Sequence, residues 1–158
     1  MKNLYCVVGK SGVGKDTIVN ELCRTYGYSR VISSASDQVD KNDLYIIDWR
    51  GYQELKKSYK SKPIKLIVIN ADKEVRCARM RKRGDADADI DKRIVYDDEV
   101  FEDIVKAKSE IDIIISNNHD GNIKGICKKL HKEIQKIENP LTETVDAGVK
   151  LYNPWSSK

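Results

Sequence analysis

The chain has 158 residues, of which 34% are charged and 7% aromatic, with a formal net charge of +4. That length fits one domain with a substantial core. No apolar run approaches the roughly 18 residues of a membrane span. So mild a basic excess does not argue for nucleic acid, and a nucleic-acid partner is not expected because the positive charge is local and no aromatics interleave with it.

In chain order, Leu4-Tyr5-Cys6-Val7-Val8 predicts a central strand buried on both faces. It runs into Gly9-Lys10-Ser11-Gly12-Val13-Gly14-Lys15, a G-x-x-x-x-G-K pattern. Ile18, Val19, Leu22 and Cys23 then recur at helical spacing. Strand, glycine loop and helix in that order predict a phosphate loop of the Walker A type. Glycines let consecutive backbone N–H groups curl around an anion, and the helix N-terminus adds partial positive charge there. Gly9, Ser11, Gly12, Val13, Gly14, Lys15, Asp16 and Thr17 are therefore the candidate phosphate contacts, with Lys15 reaching the β- and γ-phosphates of a nucleotide.

The pattern usually places Ser or Thr after the lysine, where its hydroxyl meets Mg²⁺; here that residue is Asp16, followed by Thr17. A carboxylate there could bind Mg²⁺ or repel phosphate. The metal is expected to be held mainly by nucleotide oxygens and waters.

Further strands are predicted at 29–33, 44–48, 64–69 and 111–116, the last two rich in β-branched residues. Helices are predicted near 15–26, 51–60, 73–83, 88–108 and 121–138. The alternation predicts an α/β fold, three-layered, with a mostly parallel five-stranded sheet and ligands beyond the carboxyl ends of its strands. Residues 1–138 form the expected domain. Asn139-Pro140 ends the last helix, and 139–158 is a tail whose Tyr152 and Trp155 could dock on the body or on a second copy as a homo-oligomer.

Cys6, Cys23, Cys77 and Cys127 are widely separated, without a zinc-type pair, and reduced thiols fit a cytoplasmic location. The Met1-Lys2-Asn3 start lacks a signal-like apolar core, which supports the same expectation. His119 and His131 read as surface residues.

Three more stretches carry a resemblance. Leu44-Tyr45-Ile46-Ile47-Asp48-Trp49-Arg50-Gly51 is an apolar strand ending in an aspartate. Arg79-Met80-Arg81-Lys82-Arg83-Gly84, followed by Ile90-Asp91-Lys92-Arg93-Ile94, is similar to the R-L-x-x-R-G…I-x-x-R-L lid region of guanylate kinases. Ile113-Ile114-Ile115-Ser116-Asn117-Asn118 is similar to the final strand and asparagine turn of that family. With the loop, the resemblance spans roughly residues 3–136.

The resemblance implies a P-loop nucleoside monophosphate kinase core with a short lid at about 80–94, using ATP and Mg²⁺. On that model Lys15 and the loop amides hold the donor phosphates. Arg83 and Arg93 close on the transferring group, Arg79 assists, Asp48 orients Mg²⁺ water, with Asp16 a second metal candidate, and Asn117 lies near the adenine. Each has a plainer reading. Residues Arg76 to Arg83 could be the wet face of a helix, Asp48 a helix cap and Asn117 a turn former.

One segment departs from the family. Guanylate kinases carry an arginine-containing acceptor insertion after the second strand, whereas here Ser33–Asp43 is short and acidic and has none of those arginines. Two functions follow. The first is an ATP-dependent phosphotransferase acting on a nucleotide monophosphate or another small acceptor of unknown identity. The second is a catalytically degenerate guanylate-kinase-like module that binds nucleotide or a protein partner.

Overall fold

The computed structural model describes residues 1–140; the tail aromatics Tyr152 and Trp155 lie outside them. β1 (Leu4–Val8), β2 (Leu44–Ile46), β3 (Ile64–Asn70) and β4 (Ile113–Ser116) form a parallel sheet in the order β2-β1-β3-β4. β1 is central, pairs with β2 and β3, and all five of its residues are buried. Alternate β1 side chains enter opposite layers, as strand geometry dictates. Tyr5 and Val7 pack with Ile67, Ile113 and the apolar faces of α1 (Lys15–Tyr26) and α6 (Ile123–Glu138). Leu4, Cys6 and Val8 pack with Val68 and with Trp49 and Tyr52 of α3 (Trp49–Ser58) and Ile104 of α5 (Asp87–Lys106). Helices on both faces of a parallel sheet make the expected three layers.

The sheet has four strands among the described residues rather than the expected five. The segment 29–33 contributes only a parallel bridge from Arg30 to Leu44. Val31 N donates to Leu44 O at 2.8 Å, but the next residue, Ile32, is 82% exposed. Pairing stops there, although Tyr45 and Ile46 of the three-residue β2 continue beyond Leu44. Residues 36–41, which carry no apolar periodicity, form the short helix α2 (Ser36–Lys41). The acidic segment thus closes into one helical turn and a half instead of opening an acceptor arm.

α4 (Lys73–Lys82) and α5 meet at Gly84, which takes the left-handed conformation at φ 100. This turn is the centre of the expected lid, and Met80, Ile90 and Ile94 pin its two helices together in a small separate cluster. His131 is half-buried rather than on the surface: its ring stacks on Tyr26 at 4.0 Å and shares a 2.7 Å hydrogen bond with Tyr28 Oη.

Glu138 ties the last helix to the first strand. It accepts from Lys2 N at 2.8 Å, Asn3 Nδ2 at 2.6 Å and Tyr5 Oη at 2.7 Å. Burial pushes its carboxyl up, but these donated bonds prevail and hold it below the ordinary value. A depressed native pKa contributes stability above the unfolded value, lost as pH falls through the native one. Glu138→Gln should cost about 1–3 kcal/mol at neutral pH. It should also flatten the loss of stability below about pH 4. Thermal melts from pH 3 to 7 check this, and superimposable profiles for the two proteins would count against it.

Candidate active site

The loop between β1 and α1 is shaped by two left-handed glycines, Gly12 at φ 82 and Gly14 at φ 93, the latter capping α1. Both are also tightly approached. A Cβ on Gly12 would lie 2.8 Å from Arg76 O, and one on Gly14 2.7 Å from Asn117 Nδ2. Conformation and contact each demand glycine here.

The side of the loop facing α4 and α6 is braced by Arg79 and Asn117. Arg79 Nη1 donates to Gly12 O at 3.1 Å and Val13 O at 3.3 Å. Its Nη2 donates to Asn117 O at 2.7 Å, and its Nε to Asp120 Oδ1 at 2.8 Å. The buried Asn117 amide donates to Val13 O at 2.9 Å. One guanidinium therefore joins the glycine loop to the end of β4. Arg76 departs from the wet-face reading: it is 3% exposed, with Nε on Ala71 O and no partner for Nη1 among the described residues. It is buried because α4 presses its backbone against Gly12.

Lys15 Nζ donates to Gly9 O at 2.8 Å and Lys10 O at 3.3 Å. Burial pulls its ammonium below the ordinary lysine range, opposed by the charges of Asp97 and Asp16. The other face of the loop meets α5. Ser11 N donates to Asp97 Oδ2 at 2.8 Å, and Lys10 pairs with Asp98 at 2.9 Å. The hydrogen bond from Lys10 holds the Asp98 carboxyl below its usual range. The Ser11 amide thus already meets a carboxylate within the chain.

Two grooves flank the lysine. The first, about 530 Å³, is lined by Gly12, Gly14, Lys15, Thr17, Arg83 and Arg93, and runs on to Asn117 and Asp120. The second, about 520 Å³, is lined by Ile47, Asp48, Lys92, Arg93, Tyr96 and Asp97, and shares Gly9, Ser11 and Lys15. Lys15, Ser11 and Arg93 thus line both. All of the expected site residues except Val13 line one or both grooves. Val13 is buried beneath the loop, where its N–H donates to Lys10 O at 3.4 Å.

Several of these residues are engaged within the chain. Asp48 caps α3, its Oδ1 accepting from Gly51 N at 2.7 Å. Asp16 pairs with Arg30 at 3.1 Å, and Arg83 with Asp85 at 2.8 Å. The Arg83 hydrogen bond lowers the Asp85 carboxyl. Asp48, Asp16 and Thr17 line the grooves, and their hard oxygen donors suit Mg²⁺ held through phosphate oxygens and water.

Sequence reasoning missed Asp97, Asp98, Lys10 and Tyr96. One local signal was available: Arg93 and Asp97 stand four apart on α5 and so share a helix face.

No protein-family model matches the chain, and no curated protein matches it in sequence. Solved structures do match in shape. A gluconokinase from Sinorhizobium meliloti superposes with a TM-score of 0.62 at 12% identity, over 90% of this chain and 97% of that one. A shikimate kinase from Bacteroides thetaiotaomicron gives 0.53 at 10% identity, over 83% and 97%. The YorR protein of Bacillus subtilis, in complex with phosphorylated GDP, gives 0.54 at 16% identity, over 85% and 98%. At these identities the likeness concerns the backbone alone. Sheet order, glycine loop and neighbours agree on one conclusion: the chain has the P-loop kinase fold.

Proposed function

We propose that the chain is an ATP-dependent phosphotransferase of guanylate-kinase-like design that moves the γ-phosphoryl group to a small acceptor. The observation that carries this is the placing of Lys15 and Arg93 on the wall common to both grooves. A phosphoryl group passing between donor and acceptor must cross that wall. Catalysis of this transfer is positioning plus charge neutralisation, which the cations there supply.

In this reading the first groove holds ATP. The loop amides and Lys15 bind the phosphates, and the purine lies toward Asn117 and Asp120. Bound Mg²⁺ neutralises the donor phosphates, with Asp48, Thr17 or Asp16 holding its waters. Arg83 and Arg93 close from the turn at Gly84 onto the transferring group, their fixed guanidinium geometry matching its oxygens. The second groove holds the acceptor. Its walls come from the end of β2 and from α5, both C-terminal to the shortened segment Ser33–Asp43.

The test is ADP release from MgATP across a panel of nucleoside monophosphates, nucleosides and small hydroxy acids. Acceptor-dependent ADP release is expected, and none with any acceptor would contradict transfer. Arg93→Ala should lower kcat by about 10³-fold, with ADP affinity changed less than about 3-fold. Unchanged kcat would remove Arg93 from the transfer step. One observation favours the degenerate module instead: Lys15 and the Ser11 amide already have partners within the chain. Nucleotide binding without turnover is the outcome that reading expects.

A further inference from the structure

From the position of Asp97 we infer a second catalytic group and, with it, the class of acceptor: an unphosphorylated nucleoside whose hydroxyl gives its proton to Asp97. The inference rests on the phosphotransferase reading above and identifies what fills its second groove.

Asp97 is placed for this by two contacts. Its Oδ2 accepts from Ser11 N at 2.8 Å, which fixes the carboxylate on the loop itself. Its charge also opposes the effect of burial on the Lys15 ammonium, and the two residues line the same groove. Oδ1 has no hydrogen bond to any described residue, and Asp97 lines the acceptor groove. One oxygen is thus anchored and the other is left for a proton, the arrangement a general base needs. Asp48, the other carboxylate on this wall, is likewise held by one oxygen, but on Gly51 N at the start of α3 rather than on the glycine loop.

The charges favour a neutral nucleophile. Lys15 and Arg93 are allotted to the donor phosphates, and Lys10 is paired with Asp98. The acceptor space then keeps Arg50 and Lys92 against Asp48, Asp97 and Asp103. A monophosphate would bring its negative charges against these three carboxylates, whereas a hydroxyl would not. A phosphate nucleophile also carries no proton that must be removed, so it gives Asp97 nothing to do. Beyond Asp97 the groove continues into a cavity of about 280 Å³ between α3 and α5. Its walls include Trp49, Tyr96, Val100, Phe101 and Ile104, with Lys10, Asp48, Arg50, Gln53, Asp97 and Asp103 as polar groups. A slot with aromatic walls and polar groups suits a planar ring, and a base with a hydroxyl-bearing sugar reaches from that slot to Asp97.

In the step, the acceptor O–H bond breaks and its proton passes to Asp97. The acceptor oxygen bonds to the γ-phosphorus as the bond from that phosphorus to the β,γ-bridging oxygen breaks. The bonding pair leaves on ADP, and Asp97 later returns its proton to water. The products are a nucleoside monophosphate, ADP and a proton.

The experiment assays ADP release by the full chain with the common ribo- and deoxyribonucleosides and, in parallel, their 5′-monophosphates, with MgADP affinity measured by calorimetry. Asp97→Asn is compared with the wild type, because its amide oxygen still accepts from Ser11 N but is a poor base. Turnover is expected with at least one nucleoside, and Asp97→Asn should reduce kcat by about 10²-fold or more while ADP affinity stays within about 3-fold. Turnover confined to monophosphates, or a kcat that survives Asp97→Asn, overturns the inference and leaves the phosphotransferase reading standing. MgADP binding without turnover on any compound of either series also overturns it. Failure to bind any adenine nucleotide would instead bring down the phosphotransferase reading itself.

Discussion

Lys15→Ala should abolish phosphoryl transfer, lowering kcat/KM by about 10³-fold or more, and should weaken MgADP binding by at least about 10-fold. In the same variant the melting temperature should stay within about 3 °C of the wild type. The two expectations have one cause. Lys15 is held on the carbonyls of Gly9 and Lys10, and burial works against its charge. A base whose native pKa is depressed costs stability wherever it is protonated in the unfolded chain, which for lysine means below about pH 10. Removing the ammonium relieves that cost and forfeits two hydrogen bonds, so the net change is small. What is lost is an ammonium held on the carbonyls of Gly9 and Lys10, which the proposed function assigns to the phosphate oxygens. A residue kept for structure would behave the other way, with a large fall in melting temperature and unaltered binding. Denaturation scans and nucleotide titration on one preparation separate the two.

Arg79→Ala should be the most damaging substitution to the loop's architecture. It removes a guanidinium that donates to Gly12 O, Val13 O, Asn117 O and Asp120. Hydrogen bonds from a charged donor are worth about 1.5–3 kcal/mol each, and loss of the donor leaves the carbonyls of a half-buried loop to find water. A net loss of about 2–4 kcal/mol is expected, or roughly 5–15 °C in melting temperature for a domain of this size. Nucleotide affinity should fall about 10-fold, because a loop free to change shape must be ordered on binding. Arg79→Lys should recover little, since one ammonium cannot span three carbonyls and a carboxylate. A melting temperature within about 2 °C of wild type for Arg79→Ala, or about 0.5–1 kcal/mol on that scale, would contradict the bracing role.

The glycine loop was legible in the sequence because anion recognition by a P-loop is local. Strand, glycines, lysine and helix follow one another, so their spacing carries the geometry. The parallel sheet was legible for a similar reason: β1 and β3 carry apolar runs buried over successive residues, and β4 keeps three isoleucines although Ile114 is exposed. The edge was not. Residues 29–33 have a strand-like composition, yet Ile32 faces outward beside a three-residue partner, and pairing stops after one bridge. What the sequence concealed at the site was carried by tertiary approach. Arg76 reads as one more basic residue on a basic helix, and only the contact between α4 and Gly12 buries it. Asp97 lies 86 positions from Ser11, and only the seating of α5 on the loop brings them together. Arg79 carried the family's pattern, but that pattern gave no hint of four partners within the chain.

The central claim is that the loop from Gly9 to Thr17 binds the phosphates of a nucleotide. Calorimetric titration of MgATP into the full chain tests it most directly, with Lys15→Ala as the control. One site per chain is expected in the wild type, with the binding heat lost or the affinity reduced by at least about 10-fold in the variant. No binding to the wild type, or equal affinity in both proteins, would contradict it.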